Sequence, residues 1–264
     1  MRAIRAAVVL LLLLSFTPSA HAATGTYIRL AQLSPDFGRA DLTITAAGAA
    51  QPLAKDANAG YGSLLAYRRV DPGTYTVDLR PAGADPGTAP LATATVQAAD
   101  GKAYTVAALA KALKVLDDDI SLPPAGQARI RVINAAPSVS QLDLIRGGKA
   151  VVQRAAYAEP TLYRAIDPGS TTMQVVPRGA APVDLPLTVE AGGVYTVFVL
   201  ESGGKITATA RADAKAAQVV PGGGQETGFG WLAGARNWDY FPLVALTACA
   251  LCVGVLLSRR RLTG

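Results

Sequence analysis

"YIRLAQLSPDFGRADLTI", Tyr27 to Ile44, returns about a hundred residues later as "ARIRVINAAPSVSQLDLI", Ala128 to Ile145. Arg29 aligns with Arg131, Pro35 with Pro137 and Asp41 with Asp143, all at an offset of 102. The recurrence runs on. "YGSLLAYRRVDPGTYTV" (61 to 77) matches "YAEPTLYRAIDPGSTTM" (157 to 173) at an offset of 96, and "GKAYTVAAL" (101 to 109) matches "GGVYTVFVL" (192 to 200) at 91. Identity falls on strand-like and turn-like segments, and the length changes fall between them. That is how two copies of one β domain diverge, because loops absorb insertions.

The texture between the anchors is β. "TYTVDL" (74 to 79), "LATATV" (91 to 96), "AYTVAAL" (103 to 109), "MQVV" (173 to 176), "LPLTV" (185 to 189) and "VYTVFVL" (194 to 200) are short segments rich in Val, Thr and Tyr, mostly alternating and bounded by Gly, Pro and Asp. No long helical periodicity appears away from the two ends of the chain. Asp71-Pro72-Gly73 and Asp167-Pro168-Gly169 predict type II turns, with Pro presetting φ and Gly accepting a positive one. Each copy offers about seven strands, the size of an immunoglobulin domain. The expected fold is therefore all-β: two tandem immunoglobulin-like antiparallel β-sandwiches, over residues 23–122 and 126–212. The join contains Pro123-Pro124, which restricts the relative orientation of the copies.

The two ends are not part of that fold. Residues 1–22 carry Arg2 and Arg5, the apolar run Val8 to Leu14 and a small-x-small site at Ala20-His21-Ala22, the pattern of a secretory signal peptide. Residues 213–238 are rich in Gly and Ala and predict a flexible stalk. Residues 239–258 contain an uncharged run from Tyr240 to Leu257, long enough to cross hydrocarbon as a helix. Arg259, Arg260 and Arg261 then mark a cytoplasmic tail, residues 259–264. The expected topology is a single pass of the plasma membrane, with the bulk of the chain outside. A wall-sorting Leu-Pro-x-Thr-Gly signal is matched at only its last two positions, by Thr227-Gly228 within "GQETG".

Composition narrows the chemistry. Of the formal charge of +6, two units belong to Arg2 and Arg5 and two to the tail from Asp239, leaving +2 on residues 23–238. That modest charge, without a basic patch interleaved with aromatics, gives no indication of a nucleic-acid partner. Cys249 and Cys252 both lie in the apolar span, and the single His21 lies in the signal peptide. Residues 23–238 thus hold no Cys and no His, which excludes Ser-His-Asp and Cys-His catalysis, thiolate or imidazole zinc sites, and disulfides there. No cofactor is expected.

The run "ARIRVINAAP" followed by "LDLI", the turn "VDPGTYTVDL" and the late strand "GKAYTVAALA" resemble the bacterial surface domain catalogued as domain of unknown function 4397, over residues 26 to 212. The second copy departs from the pattern with Thr171 in place of the turn tyrosine, and with Asn134 at the position of Gln32. The resemblance implies exported tandem β-sandwich repeats. It implies no established activity and supplies no catalytic residues.

Three groups remain as candidate sites. Asp117, Asp118 and Asp119 suggest either a Ca²⁺ site or a solvated strand end that discourages edge pairing. Tyr61, Tyr67, Tyr157 and Tyr163 suggest either a ligand surface or the edge of a sandwich. Asp41 and Asp143, one per copy, read as turn-capping side chains, and a carboxylate hydrolase would need two acids converging in one cleft. The expectation is a non-enzymatic membrane-anchored surface protein for envelope interaction or spacing. The alternative is a receptor for an envelope glycan or protein, using the groove between the repeats.

Overall fold

The computed structural model describes residues 25–215. The signal peptide of residues 1–22, the chain beyond residue 215, the apolar span and Arg259, Arg260 and Arg261 lie outside the described residues. Within them the chain is strand and loop with one short 3-10 turn, Pro35–Phe37, and no helix is long and apolar enough to cross a membrane.

The first repeat contains β1 (Thr26–Gln32), β2 (Ala40–Ala46), β3 (Ala54–Ala59), β4 (Ser63–Leu64), β5 (Arg68–Val70), β6 (Gly73–Pro81), β7 (Ala92–Ala98), β8 (Ala103–Leu109) and β9 (Ala112–Asp118). The second contains β10 (Ala128–Asn134), β11 (Gln141–Arg146), β12 (Lys149–Ala156), β13 (Arg164–Ile166), β14 (Gly169–Pro177), β15 (Val183–Val189), β16 (Val194–Ser202) and β17 (Lys205–Ala214). In the first repeat one sheet runs β4-β1-β8-β9, with β5 also on β1, and the other runs β3-β2-β6-β7. The second repeats this as β13-β10-β16-β17 and β12-β11-β14-β15. Each pair of sheets encloses its own apolar core. Ile28, Leu30, Leu42, Ile44, Val77, Leu79, Val96 and Val106 fill the first, and Ile130, Val132, Leu142, Leu144, Met173, Val175 and Val197 belong to the second.

β1 and β8 are buried at every residue, whereas β2 and β6 alternate. A strand with only one covered face alternates, so an unbroken buried run means that both faces are covered. The second face meets the other repeat. Ala31, Leu33, Ala107, Leu109 and Leu116 pack with Ile133, Ala135, Ala158 and Phe198 in one cluster, and Tyr27, Tyr67, Ala103 and Ile120 join Val194 and Ala214 in another. The sheets carrying β1 and β10 are therefore the inner layers, joined face to face.

Three expectations are corrected. The sheets are not purely antiparallel, because β1 pairs parallel with β8, and β10 with β16. Between β1 and β8 the chain builds the whole outer sheet, a crossover long enough to return in the same direction. The Asp-Pro-Gly segments are not hydrogen-bonded type II turns. Gly73 and Gly169 open β6 and β14 with φ of 159° and 123°, because β5 and β6 lie in different sheets and the chain turns a corner there. In the first repeat the Tyr75 hydroxyl donates to the Asp71 carbonyl at 2.8 Å; with Thr171 at that position in the second, the Arg146 guanidinium donates to the Asp167 carbonyl instead. Finally, β17 continues through Ala214, so Asp213 is a buried strand residue, not the start of a stalk.

Candidate functional site

The junction between the repeats gathers most of the buried charge. Arg29 on β1 sits among apolar neighbours, yet its side chain is only 2% exposed. Odd-numbered residues of β1 point away from their own core, and this sends Arg29 into the junction. Its Nε donates to the Thr105 hydroxyl at 2.7 Å, and its Nη2 donates to Asp213 Oδ1 at 2.7 Å on the other repeat. Arg131 repeats the arrangement in reverse. Its Nε donates to the Thr196 hydroxyl at 2.8 Å, and its Nη2 pairs with Asp118 on the first repeat. Asp118 also accepts from the hydroxyls of Thr105 and Tyr67, and Asp213 accepts from those of Thr196 and Tyr163.

Two arginines, two aspartates, two threonines and two tyrosines thus form one reciprocal network. Arg29 lies 4.3 Å from the Tyr67 ring centroid, and Arg131 lies 4.7 Å from that of Tyr163, so each cation also stacks on the tyrosine of its own repeat. Burial alone would lower the Arg29 pKa, but the carboxylate of Asp213, with Tyr67 and Asp118, outweighs it and raises the value; Arg131 behaves alike beside Asp118. Burial first, and Asp118 next, hold the Tyr67 phenol well above its ordinary value; burial and Asp213 do the same for Tyr163. Both phenols are therefore neutral donors to carboxylates. The Asp118 and Asp213 side chains are fully buried, and both approach Arg29, at 3.9 and 2.7 Å. Each acid is matched by an arginine and sealed from solvent, so the network holds the repeats together and presents no open acid pair.

The sequence-selected residues fall into place around it. Of the four tyrosines, Tyr67 is closed to any ligand at 2% exposure, and Tyr163 commits its hydroxyl to Asp213. Tyr61 bridges the repeats: its hydroxyl donates to the Ala135 carbonyl at 2.7 Å and accepts from Glu201 N–H at 2.9 Å. Tyr157 packs partly buried against the same junction cluster. The expected groove at these residues is filled, so they form no single concave ligand platform.

Strand alternation sends Asp117 and Asp118 to opposite faces of β9, and Asp119 lies beyond the end of that strand. Asp118 enters the network, Asp119 pairs with Arg129 and accepts from Ser121, and Asp117 is exposed. Among the described residues no three His, Cys, Asp or Glu side chains are grouped to hold a metal ion, and the Ca²⁺ reading of Asp117, Asp118 and Asp119 finds no convergent carboxylates. Asp41 and Asp143 each serve a neighbouring strand. Asn58 N–H donates to Asp41 at 2.8 Å and Arg154 N–H to Asp143 at 2.6 Å. Asn58 and Arg154 have φ of 58° and 53°, and both sit at irregularities in strand pairing, so each aspartate clamps a β-bulge.

The family model "Domain of unknown function (DUF4397)" matches residues 26–145 and again 131–223. The chain belongs to the DUF4397 family. No protein with a curated description matches this DUF4397 chain. Among solved structures it is similar to the C-terminal domain of AlgF from P. aeruginosa, at 23% identity over 34% of this chain and 99% of that one, with a TM-score of 0.27. It is also similar to a family CBM26 module from Eubacterium rectale Amy13K in complex with maltoheptaose, at 12% identity over 69% and 96% of the two chains, with a TM-score of 0.24. A third is the tip fimbrial protein Mfa3 from Porphyromonas gingivalis, at 8% identity over 70% and 98%, with a TM-score of 0.24. At such scores these likenesses carry no inference about what the DUF4397 chain binds.

Proposed function

We propose that this chain is a non-enzymatic, single-pass surface protein that displays two immunoglobulin-like sandwiches as one rigid body, for interaction within the envelope or for spacing. Residues 1–22 direct export, the apolar span of residues 239–258 anchors the chain in the plasma membrane, and Arg259, Arg260 and Arg261 stay in the cytoplasm. The observation that carries the reading is the sealed junction. Four buried charges crossed between the repeats, at positions that a jointed or catalytic assembly would keep accessible, favour a fixed display unit. Tyr61 adds to the same rigidity, its hydroxyl donating to the Ala135 carbonyl and accepting from the Glu201 N–H of the second repeat.

Fractionation of cells tests it. The full chain should sediment with membranes and be degraded by protease added to intact cells, and a chain ended at Trp238 should be released outside. Recovery of the full chain in the cytosol would overturn the reading. Affinity capture with residues 23–238 from envelope fractions then identifies the partner.

A further inference from the structure

Two of the length differences between the repeats converge on one face. The β2–β3 loop spans residues 47–53 in the first repeat, against Gly147-Gly148 in the second. The β6–β7 loop spans residues 82–91, against residues 178–182. The two loops leave opposite ends of the β2–β6 pair, where Ala46 stands beside Tyr75 and Pro81 beside Ala40, and both contribute to a cleft of about 330 Å³ over the outward side of the first repeat's outer sheet. Its floor is the outward side of β2, β3 and β6: Asp41, Thr43, Thr45, Lys55, Asp78 and Arg80. Its walls come from the longer loops, through Ala50, Gln51, Pro52, Ala84 and Pro86.

We propose that this cleft is a binding site for a neutral, hydroxyl-rich ligand, a short stretch of uncharged glycan. The floor is electrostatically balanced. Lys55 pairs with Asp41 at 3.0 Å and Arg80 with Asp78 at 3.1 Å, so two cations and two anions cancel, and no net local charge recruits an anion or a cation. The strand register places Lys55, Thr43, Asp78 and Thr93 in one row across the sheet, with Asp41 beside Arg80 in the next. Donors and acceptors therefore alternate at strand spacing, which suits hydroxyls that both give and accept hydrogen bonds. The two proline rings and two alanines of the walls supply apolar surface for the C–H faces of a sugar ring. An extended peptide would instead add to an exposed strand edge through its main chain, and this cleft lies on a sheet face. In the second repeat the same row reads Ala150, Ile145, Gln174 and Asp184, and Val176 stands opposite Asp143, so the lysine and arginine are both gone. The site belongs to the first repeat alone, and it does not depend on where the chain resides.

The test is a glycan microarray probed with the purified full chain in detergent. It carries neutral gluco-, manno- and galacto-oligosaccharides beside uronate- and sulfate-bearing ones. Retention on neutral members, unchanged by added salt, is the expected result. Lys55→Gln with Arg80→Gln should weaken it by about tenfold or more, since each removes a charged hydrogen-bond donor from the floor. Replacing residues 47–53 by the two-glycine turn of the second repeat should abolish it, with the β circular dichroism spectrum unchanged. Three results would overturn the proposal: no retention on any member, retention confined to anionic members and lost in salt, or retention indifferent to both variants.

Discussion

Replacing Asp213 by alanine should lower the unfolding free energy by about 3–5 kcal/mol, the cost of leaving one member of a buried ion pair without its partner. The structure sets the terms. Asp213 accepts from Arg29, Thr196 and Tyr163, and its side chain is fully buried. Without it, Arg29 retains only the Thr105 hydroxyl at 2.7 Å and the more distant Asp118 at 3.9 Å, and two buried hydroxyls lose their acceptor. Water can reach the gap only by opening the junction, so relaxation recovers little. For a folded unit of this size, such a loss lowers the midpoint of thermal unfolding by about 6–20 °C. Asp118→Ala should cost the same within error, because its environment is the reciprocal one. The paired change Arg29→Met with Asp213→Leu removes both charges at once and should restore most of the lost stability. Urea unfolding followed by circular dichroism measures all four proteins. The reasoning fails if Asp213→Ala lies within about 1 kcal/mol of the parent, or if the paired variant is no more stable than the single one.

Other perturbations probe the same junction. Tyr67 and Tyr163 have folded-state pKa values raised above the unfolded value of about 10, so their contribution is complete below that pH and is lost as pH rises through the folded values. Stability should fall in alkali, and an ultraviolet titration should show phenols that ionise only on unfolding, a fraction that shrinks in Tyr67→Phe. Tyr61→Phe should cost about 1–2 kcal/mol, because the Ala135 carbonyl and Glu201 N–H both lose a partner. A protease site placed at the exposed residues Pro124 to Gly126 should, once cut, leave two fragments that co-elute on gel filtration; fragments that separate would show that the linker, not the junction, joins the repeats.

The frame was legible in the sequence because a strand records its environment at every second residue. The duplicated anchors located the two repeats and most of the strands, and the loops declared themselves by their length changes. Some signals were present but ambiguous. Arg29 and Arg131 recur within apolar strands, and Thr105 and Thr196 recur in "YTV", but the same pattern would suit an arginine reaching solvent past a sheet edge. Their partners were hidden more deeply. Asp118 lies inside an acidic triplet that reads as a charge run, and Asp213 stands at an offset of 95, after the β16–β17 hairpin has lengthened. The pairing also crosses between copies, which no comparison of one copy with the other can display. The cleft was unreadable for a related reason: its floor comes from three strands and its walls from two loops, and only the register brings them together.

Arg29 and Asp118 lie on one face of the first repeat, and Arg131 and Asp213 on the equivalent face of the second; each arginine meets the aspartate of the other copy. A surface on which i meets j while j meets i is isologous, the rule of a two-fold dimer. The two repeats are thus packed as a dimer of like domains would be, within one chain. In that arrangement a change on an inner sheet must be answered across the junction, whereas the outer sheets answer only to their own core. The two places where the first repeat is longer, the β2–β3 and β6–β7 loops, are both outer-sheet hairpins. The inner hairpin that did lengthen, β16–β17, carries Glu201, whose N–H is bound to Tyr61 across the junction. Freedom to acquire a repeat-specific cleft therefore existed on the outer faces, and that is where the cleft lies.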